Sequence, residues 1–190
     1  YTSENGLFYT INKGKAVIVG CDQSSPSLEI PSTIGNYPVD SISANAFADN
    51  LQLTNVIIHE SVTNIADNAF KGCTRLFEII LPENITSIGT STFNGCSSLT
   101  SIIIPENVTS IGSNAFYGCS LLSKINIPNN LINIGTEAFA ECPNLPSFTF
   151  PENYDGAAFV FGYCQGGNSA SVTIALPKTI YWNTIDYQKS

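Results

Sequence analysis

Cysteine and histidine are the residues of this 190-residue chain best able to do chemistry, with six of the first and one of the second. A thiolate can ligate zinc or attack an electrophile, and an imidazole beside a hydroxyl can activate it. Cys73, Cys96, Cys119 and Cys142 follow one another at a constant spacing of 23 residues. No two cysteines stand closer in sequence than 22 residues, and zinc motifs use ligand pairs a few residues apart. No metal site is therefore expected. Four thiols in one repeat register should form a buried ladder, each acting as a small hydrophobe. Ladder side chains run parallel instead of facing one another, which disfavours disulfides between close rungs. Cys21 and Cys164 should lie outside that ladder. His59 has Glu60 and Ser61 beside it, but nothing specifies an acidic orienter or an oxyanion nest. It reads as an exposed histidine. Glycines occur singly, never in a phosphate-cradling loop followed by Lys-Ser/Thr. No catalytic residue, cofactor or enzymatic activity is expected. Asn84-Ile-Thr86 and Asn107-Val-Thr109 fit the glycosylation acceptor pattern, yet both fall at one repeat position. Their expected role is to satisfy backbone groups at a turn.

The elements that position these residues repeat as well. Phe47, Phe70, Phe93, Phe116 and Phe139 keep the same 23-residue spacing, as do Leu53, Leu76, Leu99, Leu122 and Leu145. Ile65, Ile88, Ile111 and Ile134 follow, with Pro82, Pro105 and Pro128. This period with an L-x-x-L-x-L core predicts a leucine-rich-repeat solenoid, β-rich within the α/β class. In the third copy, Leu99, Ile102 and Ile104 mark a strand with one buried face, ended by Pro105. Glu106 and Asn107 turn the chain, and Val108 to Ile111 forms a second extended segment. Ser113-Asn114-Ala115-Phe116 reads as a short helical turn capped by Ser113. The prediction is a parallel sheet on one face, with short helical turns on the opposite arc.

The ends are atypical, as a solenoid's terminal coils must be. Leu7–Ile11 and Lys15–Val19 predict a hairpin turning at Asn12-Lys13-Gly14. Five extra residues, about Thr33 to Pro38, should form a surface loop in the first coil. The reading is one domain over 1–190: an N-terminal hairpin cap (1–27), repeats (28–150) and a C-terminal cap (151–190). Tyr154, Phe159, Phe161, Tyr163, Tyr181, Trp182 and Tyr187 gather in that last cap.

The formal charge of −8, from 7 basic and 15 acidic residues, disfavours nucleic acid as a partner. No apolar run is long enough to span a membrane. A start without Met fits a mature protein or a trimmed one whose targeting segment is gone, and few lysines with many Ser, Thr and Asn suggest an extracellular surface.

The unit L-x-x-I-x-I-P-x-x-V-x-x-I-G-x-x-A-F-x-G-C resembles the BspA-like, or Treponema pallidum type, leucine-rich repeat. Gly89, Gly112 and Gly135 hold its glycine, Ala66 replaces it once, and Asn50 and His59 stand where a cysteine and a proline should be. The resemblance covers at least residues 39–150. It implies a bacterial protein, secreted or anchored to the outer cell surface, and protein binding without catalysis. It also implies adhesion, to host matrix or to other cells. Alternatives are a structural spacer that displays another domain, or the carbohydrate-binding arm of a surface protein.

Strand alternation names a candidate protein-binding surface. The outward third positions are Asn55, Glu78, Ser101, Lys124 and Ser147; the fifth are Ile57, Ile80, Ile103, Asn126 and Thr149. Ile57, Ile80 and Ile103 should form an apolar strip, with Glu78 and Lys124 in the polar row and Phe77 at the rim. A ladder of branched residues also stabilises a sheet with no partner. A sugar site would want aromatic rings on this face, which has almost none.

Overall fold

The computed structural model describes residues 2–145. Ser147, Thr149, Phe148, Cys164, the C-terminal cap and its aromatic cluster lie outside the described residues.

Apolar residues alternate along β2 (Leu7–Asn12) and β3 (Lys15–Cys21), and these pair antiparallel across Lys13-Gly14 as the expected hairpin. A further strand, β1 (Thr2–Glu4), pairs with β2 on its outer side. The coils then stack through two parallel ladders. The first joins β4 (Ser27–Ile30), β7 (Asn55–Ile58) and β9 (Glu78–Ile80) and, after a break in strand pairing, β11 (Ser101–Ile102) with β13 (Lys124–Ile125). The second pairs β6 (Tyr37–Ile42) with β8 (Asn64–Ile65) and, after a break in strand pairing, joins β10 (Ser87–Ile88), β12 (Ser110–Ile111) and β14 (Asn133–Ile134). Since β3 pairs parallel with β6, the hairpin extends this second ladder and covers its free edge.

The five-residue insertion is a tight hairpin where a loop was expected. β5 (Thr33–Ile34) pairs antiparallel with β6 across Gly35-Asn36, both at positive φ. Ile34 turns inward and is buried. Burying that side chain is what converts extra backbone into paired structure.

The predicted helical turns are absent, because no described residue is helical. Each arc opposite the strands is instead a run of successive turns. Ala115, Tyr117 and Cys119 donate to the carbonyls three residues back, whereas Asn114, Phe116 and Gly118 donate to Thr136, Ala138 and Ala140 of the next coil. A helix would need every N–H to reach four residues back. Two positions per coil also leave the helical region: Asn45, Asn68, Ser91, Asn114 and Glu137 have φ of 53° to 59°. Asp49, Gly72, Gly95, Gly118 and Glu141 lie at 56° to 75°. A right-handed helix cannot pass through such residues.

The interior is filled by like residues in register. The phenylalanine rings stack coil on coil with centroids 5.1 to 5.7 Å apart. Leu53, Leu76, Leu99 and Leu122 and the paired Val62/Ile65, Ile85/Ile88 and Val108/Ile111 close around them, all buried.

Candidate functional site

Among the described residues the thiols occupy an interior ladder. Cys73, Cys96 and Cys119 are buried and Cys142 is half-buried; all are free. Each thiol donates to the carbonyl of a phenylalanine in the preceding coil, at 3.0 to 3.2 Å: Cys73 to Phe47, Cys96 to Phe70, Cys119 to Phe93 and Cys142 to Phe116. Desolvation pushes the Cys73 thiol up to about 12 and raises Cys96 well above its ordinary value. Cys119 is raised by its neighbour Cys142 and by burial. Neutral, hydrogen-bonded thiols of this kind are poor nucleophiles.

Cys21 stands beyond the end of this ladder, on the N-terminal hairpin. Asn50, in the first cysteine slot, is buried and donates from Nδ2 to Cys21 Sγ at 3.3 Å. Its Oδ1 accepts from the backbone N–H groups of Gln52 and Leu53. The amide therefore replaces the thiol where the coil meets the hairpin. Among the described residues no group of three or more His, Cys, Asp or Glu is placed to hold a metal ion.

His59 is exposed. The Ser61 N–H donates to His59 Nδ1 at 3.0 Å, which occupies the lone pair a base would use towards Ser61 Oγ, 3.2 Å away. The two glycosylation-like asparagines are tied to the backbone. Asn84 Nδ2 donates to the Glu60 carbonyl and Asn107 Nδ2 to that of Glu83, each at 2.8 Å. Asn130 repeats the bond to Glu106.

The candidate binding residues come together on the open face of the first ladder. Ile57 pairs in register with Ile80 on one side and Glu29 on the other. Ile57, Ile80 and Ile103 are 48%, 51% and 76% exposed, while Val56, Ile79 and Ile102 beside them are buried. Phe77 is half exposed, just before β9. Glu78 accepts from Asn55 Nδ2 at 3.0 Å, and Lys124 is exposed in the same row beyond Ser101. The row closes at Asn126, whose side chain pairs with both the N–H and the carbonyl of Ile104 at 2.7 and 2.8 Å.

Sequence reasoning missed the border of this face. Glu60, Glu83 and Glu106 stack one per coil just beyond the strand ends, all exposed. The Glu60 carboxylate accepts from the Glu83 N–H, and that of Glu106 from the Asn129 N–H. The signal was present, since Pro82-Glu83-Asn84 and Pro105-Glu106-Asn107 repeat at one register. Elsewhere a cleft of about 530 Å³ opens between the N-terminal hairpin and β4, lined by Cys21, Asp22, Ser24 and Glu29 among others.

Residues 40–166 match a family profile described as a BspA type leucine-rich repeat region, in six copies. Among curated proteins none is similar to the chain. Among solved structures, a T. pallidum leucine-rich-repeat protein superposes with a TM-score of 0.75 at 30% identity, over 80% of this chain and 72% of that one. A Bacteroides capillosus leucine-rich-repeat protein gives 0.59 at 28%, covering 65% of this chain and 95% of that one. A leucine-rich cell surface protein of Faecalibacterium prausnitzii gives 0.50 at 25%; the match covers 81% of this chain and 55% of that one.

Proposed function

Since this chain belongs to the BspA-type leucine-rich-repeat family, we propose that it is a secreted or surface-displayed module that binds protein through its open strand face. Adhesion to host matrix or to other cells is the specific form of that reading. The observation that carries it is the row Ile57, Ile80 and Ile103, each about half exposed or more, the first two on paired strands and the third just past the end of β11. Such residues contribute little to the core they sit above, so they are free to vary with a partner. An apolar centre with a polar border is how interfaces distribute binding energy. The F. prausnitzii neighbour, described as a cell surface protein, supports the location.

The test is a triple replacement of these isoleucines by threonine, which keeps β-propensity. Partners are recovered from mucosal or matrix extract with the purified chain. Loss of affinity by about tenfold or more, with a nearly unchanged melt, is expected. Unchanged capture would move the site off this face, to the Gly35–Pro38 hairpin first.

A further inference from the structure

The isoleucine row carries an unbalanced border. Glu29 closes it at one end, in register with Ile57. Glu78 flanks it at the start of the strands, and Glu60, Glu83 and Glu106 run parallel to it beyond their ends. Among the described residues the ion pair is between Lys15 and Asp40, away from this face; Lys124 stands in the Glu78 row but forms an ion pair with none of these five carboxylates, so the border stays acidic. The bonds that Glu60, Glu78 and Glu106 accept come from neutral amide N–H groups and neutralise no charge. The whole chain adds to the same field with its formal charge of −8.

We propose that this face seats an amphipathic basic helix of a partner protein, laid across the strands along the solenoid axis. The inference rests on the protein-binding reading above and names the partner's chemistry. The spacing selects the helix. Coils rise by about 4.8 Å per rung and a helix by about 5.4 Å per turn, so apolar residues one turn apart drift only about 1.2 Å from Ile57 to Ile103. An extended segment repeats its side every 6.7 Å or so and drifts by about 4 Å over the same two rungs. Leucine-like residues at i, i+4 and i+7 then cover the isoleucines. Lysine or arginine on the flank faces the Glu60–Glu83–Glu106 row, with charge steering the approach.

The probe is a labelled helical peptide of roughly eighteen residues, leucine on one stripe and lysine elsewhere. Two control peptides replace lysine by glutamate or leucine by serine. Anisotropy titrations use the chain, its Ile57→Thr/Ile80→Thr/Ile103→Thr variant and its Glu60→Gln/Glu83→Gln/Glu106→Gln variant. Glutamine keeps the acceptor oxygen that the turns use, and melting curves verify folding of each variant. The lysine–leucine peptide should bind, weaken in high salt, and lose roughly tenfold or more with either variant. Binding insensitive to the isoleucine replacement overturns the seat. Extract partners lost with the isoleucines but kept with the glutamines overturn the basic helix and leave protein binding standing. Dimers of the chain that vanish with the isoleucine variant assign the face to a second copy and overturn the proposal likewise.

Discussion

At the scale of residues, the cysteines illustrate how a reactive group is made inert. Burial removes the water that would solvate a thiolate, and the phenylalanine carbonyls occupy the proton. A thiol reagent should label none of Cys73, Cys96 and Cys119 in native buffer and all three once denaturant is added. Rapid native labelling would refute the buried ladder. The same burial sets a pH dependence. The folded chain holds the Cys73 proton up to about 12, whereas an unfolded thiol releases it near 9.0. A raised folded pKa adds stability that is complete below the unfolded value and lost as pH climbs through the folded one. The urea midpoint should therefore hold between neutrality and pH 9 and fall above it, with the fall reduced in Cys73→Ala. At the left-handed positions, Asn114→Val should cost about 1–2 kcal/mol in urea melts, because a branched side chain is strained there. Glu137→Asn, which copies Asn114 at that register, should cost nothing.

At the scale of elements, each coil is limited by how closely its corner approaches the coil before. A Cβ added to Gly112 would lie 2.5 Å from the Thr90 backbone nitrogen and 2.7 Å from the Gly89 carbonyl carbon. One added to Gly89 would lie 2.5 Å from an Asp67 carboxylate oxygen, a side chain that can turn away. Gly112→Ala should cost about 1–3 kcal/mol by urea unfolding and Gly89→Ala clearly less, since backbone cannot yield as a carboxylate can. Equal losses would mean that the corner is not what sets coil spacing. The arcs show where sequence reading fails at this scale. Ser-Asn-Ala-Phe looks like a capped helical turn because serine caps and alanine favours helix. Asparagine two residues before phenylalanine and glycine two after were the contrary signal, since both residue types tolerate positive φ. Inter-coil hydrogen bonding decided between them.

At the scale of the molecule, each coil touches only its neighbours, so stability is carried from rung to rung. The phenylalanine stack makes this measurable. Phe70→Leu and Phe93→Leu remove rings 5.7 Å apart, and their combined cost should fall short of the sum by about 0.5–1.5 kcal/mol. Phe70→Leu with Phe139→Leu, on coils that do not touch, should add within about 0.5 kcal/mol. Additive behaviour in the first pair would show that the rings merely fill volume. Strong coupling in the second would show a core more cooperative than stacked coils.

The sequence by itself determined the repeat length, the inward residues, the parallel sheet of the Leu-x-x-Ile-x-Ile strands and the isoleucine row; the second parallel ladder, of the Val-x-x-Ile segments, came from the structure. A strand's alternation and a strict register leave few other ways to bury Leu, Ile and Phe at once. Tertiary structure decided what depends on contacts between coils or with the cap. It turned the arcs into chained turns, because every second N–H there finds its acceptor one coil on. It folded the Thr33–Pro38 insertion into a hairpin over the buried Ile34, and placed Cys21 against Asn50 across 29 residues of chain. It also stacked Glu60, Glu83 and Glu106 into one acidic border. Each is ordinary in its own coil, and only the stacking of coils sets three like charges beside one apolar strip.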